Sequence, residues 1–154
     1  MYDRILVPTD GSDVAEAAVE QAIDLAEKYG AEIHALYVAD TDAVAYGLGT
    51  EQVDRIRQGN FSQMTELREQ AEEATGHVAN LAEEHGIDAV EHHAGGQPHT
   101  MIGNYADDHD IDLIVMGSHG RAGVRRALLG SVTERTLRST HVPVLVVDYL
   151  GTDE

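Results

Sequence analysis

Apolar residues recur along this chain with two periods, and the two alternate. Residues 3–9, DRILVPT, hold a compact apolar run closed by a turn signal, which predicts a first strand. Asp10, Gly11 and Ser12 follow as a turn, with Ser12 or Asp13 placed to cap a helix. Ala15, Ala18, Val19, Ala22, Ile23 and Ala26 then repeat at helical spacing, to a helix end near Tyr29 with Gly30 as its C-cap. Residues 31–38, AEIHALYV, predict a second strand. Residues 40–62 show no period and carry Gly47, Gly49, Gly59 and Asn60, so they predict a long connection with at most a short helical turn. Met64, Leu67, Ala71, Ala74, Val78 and Leu81 mark a strongly amphipathic helix that stops by Gly86. A third, less apolar strand is expected over 87–94. GGQPHT then turns into a helix reaching about His109. Strands over 112–117 and 142–147 flank a glycine-rich loop and a helix over 131–139.

Strands thus alternate with helices throughout, and the runs at 5–8, 113–116 and 144–147 are apolar without interruption, as in strands covered on both faces. The pattern predicts a single α/β domain: an open, doubly wound parallel sheet of five strands with helices on both faces. The length of 154 residues suits one domain with a real core. No run approaches the roughly 18 apolar residues that would span a membrane. The opening MYDRILVPTDG, with an early acid and a proline turn, does not read as a secretion signal. Without cysteine there are no disulfides or thiolate metal sites, and the cytoplasm is the expected location.

Charge changes the picture. The net charge is −18, and Lys28 is the sole lysine beside nine arginines. Such a surface repels nucleic acid and anionic membranes. Heavy acid use with almost no lysine also suggests a salt-rich cytoplasm, hence a halophile with an acidic proteome. Against this background, residues 114–140 hold Arg121, Arg125, Arg126, Arg135 and Arg138 and one acid, Glu134. This basic segment contains GSHGRAGVRRALLGS, 117–131, with four glycines between a strand and a helix. Glycines let backbone N–H groups approach a ligand, and a helix N-terminus at Gly130-Ser131 adds donors and a favourable dipole. The chemistry points to an anion, a phosphate above all. Ser131 has two readings, a helix cap and a phosphate contact. Arg125 and Arg126 face either a phosphate or solvent. The loop has neither the lysine of a Walker P-loop nor a tight GxGxxG, which argues against a standard kinase or dehydrogenase. Ligands of open α/β sheets sit beyond the carboxyl ends of strands, where Pro8, Thr9 and Asp10 also lie. Asp10 has three readings: a ribose partner, a carboxylate beside Mg²⁺, or a turn residue. His92 and His93 should point to opposite faces of a strand, an unsuitable pair for one metal. His77, His85, His99, His109 and His141 show no partners by spacing, and Asp107, Asp108, Asp110 and Asp112 read as a solvated acidic surface.

Taken together, these motifs resemble those of the universal stress protein family in its single-domain form. The family's glycine motif is met by Gly117, Gly120 and Gly130-Ser131 with its spacing intact; ILVPTDGS (5–12), IDLIVMGSHGRAG and VPVLVV also match. The resemblance spans residues 1–148 and leaves 149–154 as a short C-terminal tail. It implies a Rossmann-like fold of the adenine nucleotide alpha hydrolase type, strand order 3-2-1-4-5, and an ATP-binding stress or regulatory module without rapid turnover. By the same resemblance, Pro8, Thr9 and Asp10 line the ribose or adenine side. Val38 meets adenine through its backbone, and Met116 and Gly117 line the base and sugar pocket. His119, Gly120, Arg121, Gly130, Ser131, Val132 and Thr133 surround the phosphates, with Mg²⁺ as an option near Asp10. The alternatives are a slow Mg-dependent ATPase or adenylate-transfer enzyme, and an interaction module with a vestigial site. The apolar strand 142–147 would lie at a sheet edge, where pairing with a second copy would make a homodimer.

Overall fold

The fold is seen in a computed structural model that describes residues 1–40, 65–119 and 129–148. Its elements run β1 (Arg4–Pro8), α1 (Asp13–Tyr29), β2 (Glu32–Asp40), α2 (Thr65–Glu84), β3 (Ala89–Gly96), α3 (Pro98–Asp108), β4 (Leu113–Gly117), α4 (Ser131–Ser139) and β5 (Val144–Val147). All strand pairs are parallel, in the order β3-β2-β1-β4-β5. The open α/β sheet predicted from the alternation is therefore what forms.

Side-chain alternation along the strands divides the core in two. Ile5 and Val7 of β1, Ile33 and Ala35 of β2, and Leu113 and Val115 of β4 pack with Ala18, Val19, Ala22 and Ile23 of α1 and Val78 and Ala82 of α2. Leu6, Leu36, Ile114 and Met116 point the other way, toward Ile102, Tyr105 and Ala106 of α3 and Val132 of α4. Ile5, Leu6, Val7, Ile114 and Val115 are fully buried, which is why these runs carry no polar interruption. Ser12 caps α1, its Oγ accepting from the Ala15 N–H at 3.3 Å, and Gly30 ends the helix at φ +67°. That left-handed turn, stabilised by the Gly30 N–H donating to the Ala26 carbonyl, requires glycine.

Several strand boundaries differ from expectation. β2 runs on to Asp40, because β3 pairs with it through Ala39↔Gly95 and Asp40↔Gly96. β3 begins at Ala89 instead of 87: the Ile87 N–H donates to the Ala82 carbonyl at 2.8 Å, so Ile87 closes α2 and packs with the α1–α2 core. Gly95 and Gly96, read as turn, are the end of that strand. β5 begins at Val144, since the Val142 N–H is taken by Thr140 Oγ1 and Pro143 has no N–H to donate. The 40–62 connection beyond Asp40 and the 149–154 tail lie outside the described residues.

Histidine spacing gave no hint of a ring cluster under α3. His34, buried in β2, meets Tyr105 Oη through Nδ1 at 2.6 Å and Glu32 Oε1 through Nε2 at 2.9 Å. The His109 ring stacks on Tyr105 at 3.8 Å, and His92 lies 5.1 Å from Tyr105 and 6.3 Å from His109. His109 thus has a partner that spacing did not reveal, as does His85, which meets Glu27 at 3.2 Å. His93 faces the opposite side of β3, against Thr75 of α2, as the alternation predicts. Partial burial, with the nearby His109 and His93 adding to it, pushes the His92 pKa below the usual histidine range. The hydrogen bond with His34, helped by Arg4, lowers that of Glu32. Folded His92 therefore binds fewer protons than unfolded His92, and its contribution is lost as pH falls through the histidine range. That of Glu32 is lost only at more acidic pH, as the carboxylate protonates. The denaturation midpoint should accordingly fall between pH 7.5 and pH 5.5, and His92→Gln should flatten that fall. An unchanged slope in the variant would remove His92 from the account.

Candidate functional site

The strand order reverses between β1 and β4, and the two strands part toward their carboxyl ends. Five residue pairs join β1 to β2, but only Ile5↔Leu113 and Leu6↔Ile114 join β1 to β4. The crevice beyond them is where open α/β sheets receive ligands.

One wall is the turn after β1. Pro8 is half-buried and Thr9 buried; the Thr9 N–H donates to the Leu36 carbonyl at 2.9 Å, and Thr9 Oγ1 accepts from the Gly11 N–H. Asp10 Oδ1 accepts from the Ser12 N–H at 3.0 Å, so the carboxylate has the turn role anticipated as one of its readings. Val38, near the end of β2, is half-buried against the α3–α4 core.

The other wall is the end of β4. Met116 and Gly117 are buried. A Cβ on Gly117 would lie 3.0 Å from Val14 Cγ2 and 3.2 Å from the Val14 backbone, so the glycine admits the first turn of α1 against the strand. After it the chain is pinned from three directions. The Ser118 N–H donates to the Val147 carbonyl at 2.9 Å, and the Ser118 carbonyl accepts from the Gly130 N–H at 2.7 Å. Thr133 Oγ1, buried, donates to the Gly117 carbonyl at 2.8 Å. A Cβ on Gly130 would stand 2.9 Å from His119 Cα. Gly130 has φ −65°, open to any residue, so closeness and not backbone conformation demands glycine here.

The two ends of the loop are thus brought together beside the N-terminus of α4. Gly130 is the N-cap, and no side chain caps the helix. Ser131 is consequently not the cap that one reading allowed; it is the first helical residue and is exposed. The leading N–H groups of a helix have no intrahelical acceptors, and their dipole favours an anion. Ser131, Val132 and Thr133 supply these groups. Gly120, Arg121, Arg125 and Arg126 lie outside the described residues. On α4 itself, Arg138 pairs with Glu134 at 3.2 Å.

Sequence reasoning overlooked Ser118 and Asp148. Ser118 Oγ donates to Asp148 Oδ1 at 2.8 Å and lies 3.2 Å from His119 Nδ1. The signal was available only through register: Gly117 pairs with Val147, so the next residue on each strand must meet.

A cavity of about 400 Å³ opens at the opposite, amino end of the sheet, lined by Asp3, Arg4, Glu27, Glu32, His85 and Asp88 among others. Its acids and the nearby C-terminal ends of α1 and α2 disfavour an anion there. No group of three or more His, Asp or Glu placed to hold a metal occurs among the described residues, and no helix among them is long and apolar enough to cross a membrane.

The family model described as the universal stress protein family matches residues 1–148. Universal stress protein MJ0531 of Methanocaldococcus jannaschii is 40% identical over 148 residues, covering 96% of this chain and 82% of that protein. The solved structure of MJ0577, from the same organism, superposes with a TM-score of 0.79 at 30% identity and covers 99% of each chain. A universal stress protein from Archaeoglobus fulgidus, solved in complex with dAMP, shares the fold at a TM-score of 0.65 and 21% identity, over 95% of this chain and 98% of that one.

Proposed function

The chain belongs to the universal stress protein family, and from that membership we propose that it binds ATP in the β1–β4 crevice as a nucleotide-dependent stress or regulatory module of the cytoplasm. The observation that carries this reading is the pinned loop: Ser118 and Gly130 are hydrogen-bonded across its mouth, beside an N-terminus of α4 with no side-chain cap. The Archaeoglobus protein of the same fold was solved in complex with dAMP, which supports an adenine nucleotide as the class of ligand. Gly117, His119, Gly120, Arg121, Gly130, Ser131, Val132 and Thr133 would surround the phosphates, largely through backbone donors. Pro8, Thr9, Asp10, Val38 and Met116 would take the sugar and base. Residues 1–148 form the nucleotide-binding unit. A Mg²⁺ ion would be held by the phosphates near Asp10, neutralising charge that this acidic protein otherwise repels.

β5 is an edge strand with Leu145 exposed and Val144 and Val146 half-buried, which suits pairing with a second copy in a homodimer. Two chains of charge −18 repel each other, and high salt screens that repulsion, in keeping with a salt-rich cytoplasm.

Incubation of the purified protein with ATP and Mg²⁺ in concentrated KCl, followed by analysis of the retained nucleotide, tests the proposal. Bound, unchanged ATP is expected. Product formation lost in Asp10→Ala would instead make the protein a slow ATPase or adenylate-transfer enzyme. Failure to retain nucleotide at any salt concentration would leave an interaction module with a vestigial site.

A further inference from the structure

Ser118 has one hydroxyl proton and two polar neighbours. Asp148 Oδ1 is the nearer, at 2.8 Å, and a carboxylate accepts only, in a charge-assisted bond. His119 Nδ1 lies at 3.2 Å. With its proton committed to Asp148, Ser118 Oγ can only accept from the ring, so Nδ1 must carry a hydrogen. Ser118 is itself buried and fixed by backbone bonds to Val147 and Gly130, which leaves the hydroxyl little freedom to choose otherwise. In a neutral imidazole whose Nδ1 bears the proton, Nε2 is a bare acceptor. A bare acceptor repels a phosphate oxygen; an imidazolium Nε2–H donates to one.

We infer that Asp148, through Ser118, sets His119 so that it engages a phosphate only by taking up a proton, which makes nucleotide binding proton-linked. Asp148 and Ser118 are positioning residues, and the inference rests on the nucleotide reading of the crevice. The charged groups at this end of the sheet, among the described residues, come from several elements. Asp10 follows β1, with Oδ1 on the Ser12 N–H; Asp40 ends β2; Glu134 of α4 is paired with Arg138; Asp148 follows β5. Because bound phosphate favours the charged ring, the complex holds more protons than the free protein, and affinity falls as pH rises through the histidine range.

Calorimetric titration with MgATP, in buffers of different ionisation enthalpy, measures this directly. The metal keeps the ligand's own phosphates ionised, so uptake reports the protein. Wild type should take up protons and bind about fivefold or more tightly at pH 6 than at pH 8. In Asp148→Asn the amide can donate to Ser118, the hydroxyl proton is released toward His119, and the ring can present Nε2–H while neutral. That variant should bind with little proton uptake and a flat pH profile, whereas Asp148→Glu should restore both. His119→Gln should abolish the uptake. Nitrogen NMR of wild type should find the Nδ1–H tautomer at His119, a result independent of how the variants fold. Binding without proton uptake, or an Nε2–H tautomer in free wild type, overturns the linkage while leaving the site intact. The absence of MgATP heat at any pH or salt concentration overturns the nucleotide reading and the linkage with it.

Discussion

Gly130→Ala should weaken MgATP binding by about tenfold or more, equivalent to roughly 1.4 kcal/mol. The added methyl would lie 2.9 Å from His119 Cα, 3.2 Å from His119 Cβ and 3.4 Å from the Ser118 carbonyl oxygen. Two of those three atoms are backbone and the third is bonded directly to it, so the loop must shift and the 2.7 Å bond closing its mouth must lengthen. Overpacking of this kind costs about 1–3 kcal/mol of stability, which leaves most domains folded. Gly103 provides the contrast. It lies in α3, where an added Cβ meets nothing within 4 Å, so Gly103→Ala should leave binding unchanged and stabilise the helix by about 1 kcal/mol. Calorimetry and denaturant unfolding on the two variants separate a closeness effect at the site from a general intolerance of alanine.

Ile114→Ala should lower stability by about 2–5 kcal/mol, a large share of the 5–15 kcal/mol typical of a whole domain. Ile114 is fully buried in β4, paired with Leu6 on one side and Val144 on the other, in one core cluster with Leu36, Ile102 and Tyr105. Its truncation leaves a cavity with fixed strands on both flanks, which have little room to close over it. β4 also ends at Gly117 and leads into Ser118, so loss of nucleotide binding should track loss of fold, and a high salt concentration that restores folding should restore binding. Denaturant unfolding followed by two probes checks the magnitude; a loss below 1 kcal/mol would mean that the α3–α4 core is not packed as described.

Both faces of the sheet were legible in the sequence because burial on two sides writes uninterrupted apolar runs such as Ile5-Leu6-Val7 and Leu113-Ile114-Val115. The helix ends were legible where one residue type does one job, as Gly30 does at φ +67°. The start of β3 was not, because Ile87 is apolar in either role and only the hydrogen bond to Ala82 assigns it to the end of α2. At the crevice, the glycine spacing marked Gly117 and Gly130 correctly as special, but not the reason: each is met closely by Val14 or His119, and neither has a positive φ. Contacts made across strands were out of reach. Asp148 follows Ser118 by thirty positions and meets it only because β4 and β5 lie in register, while His34 meets Tyr105 across seventy-one.

Titration of the purified chain with MgATP over a KCl series, one chain to one nucleotide, bears most directly on the crevice. A saturable heat with about one nucleotide per chain, lost or strongly reduced in Gly130→Ala and kept in Gly103→Ala, is the result the account predicts. No heat with any adenine nucleotide, from dilute to concentrated salt and with the protein shown to be folded, would contradict it.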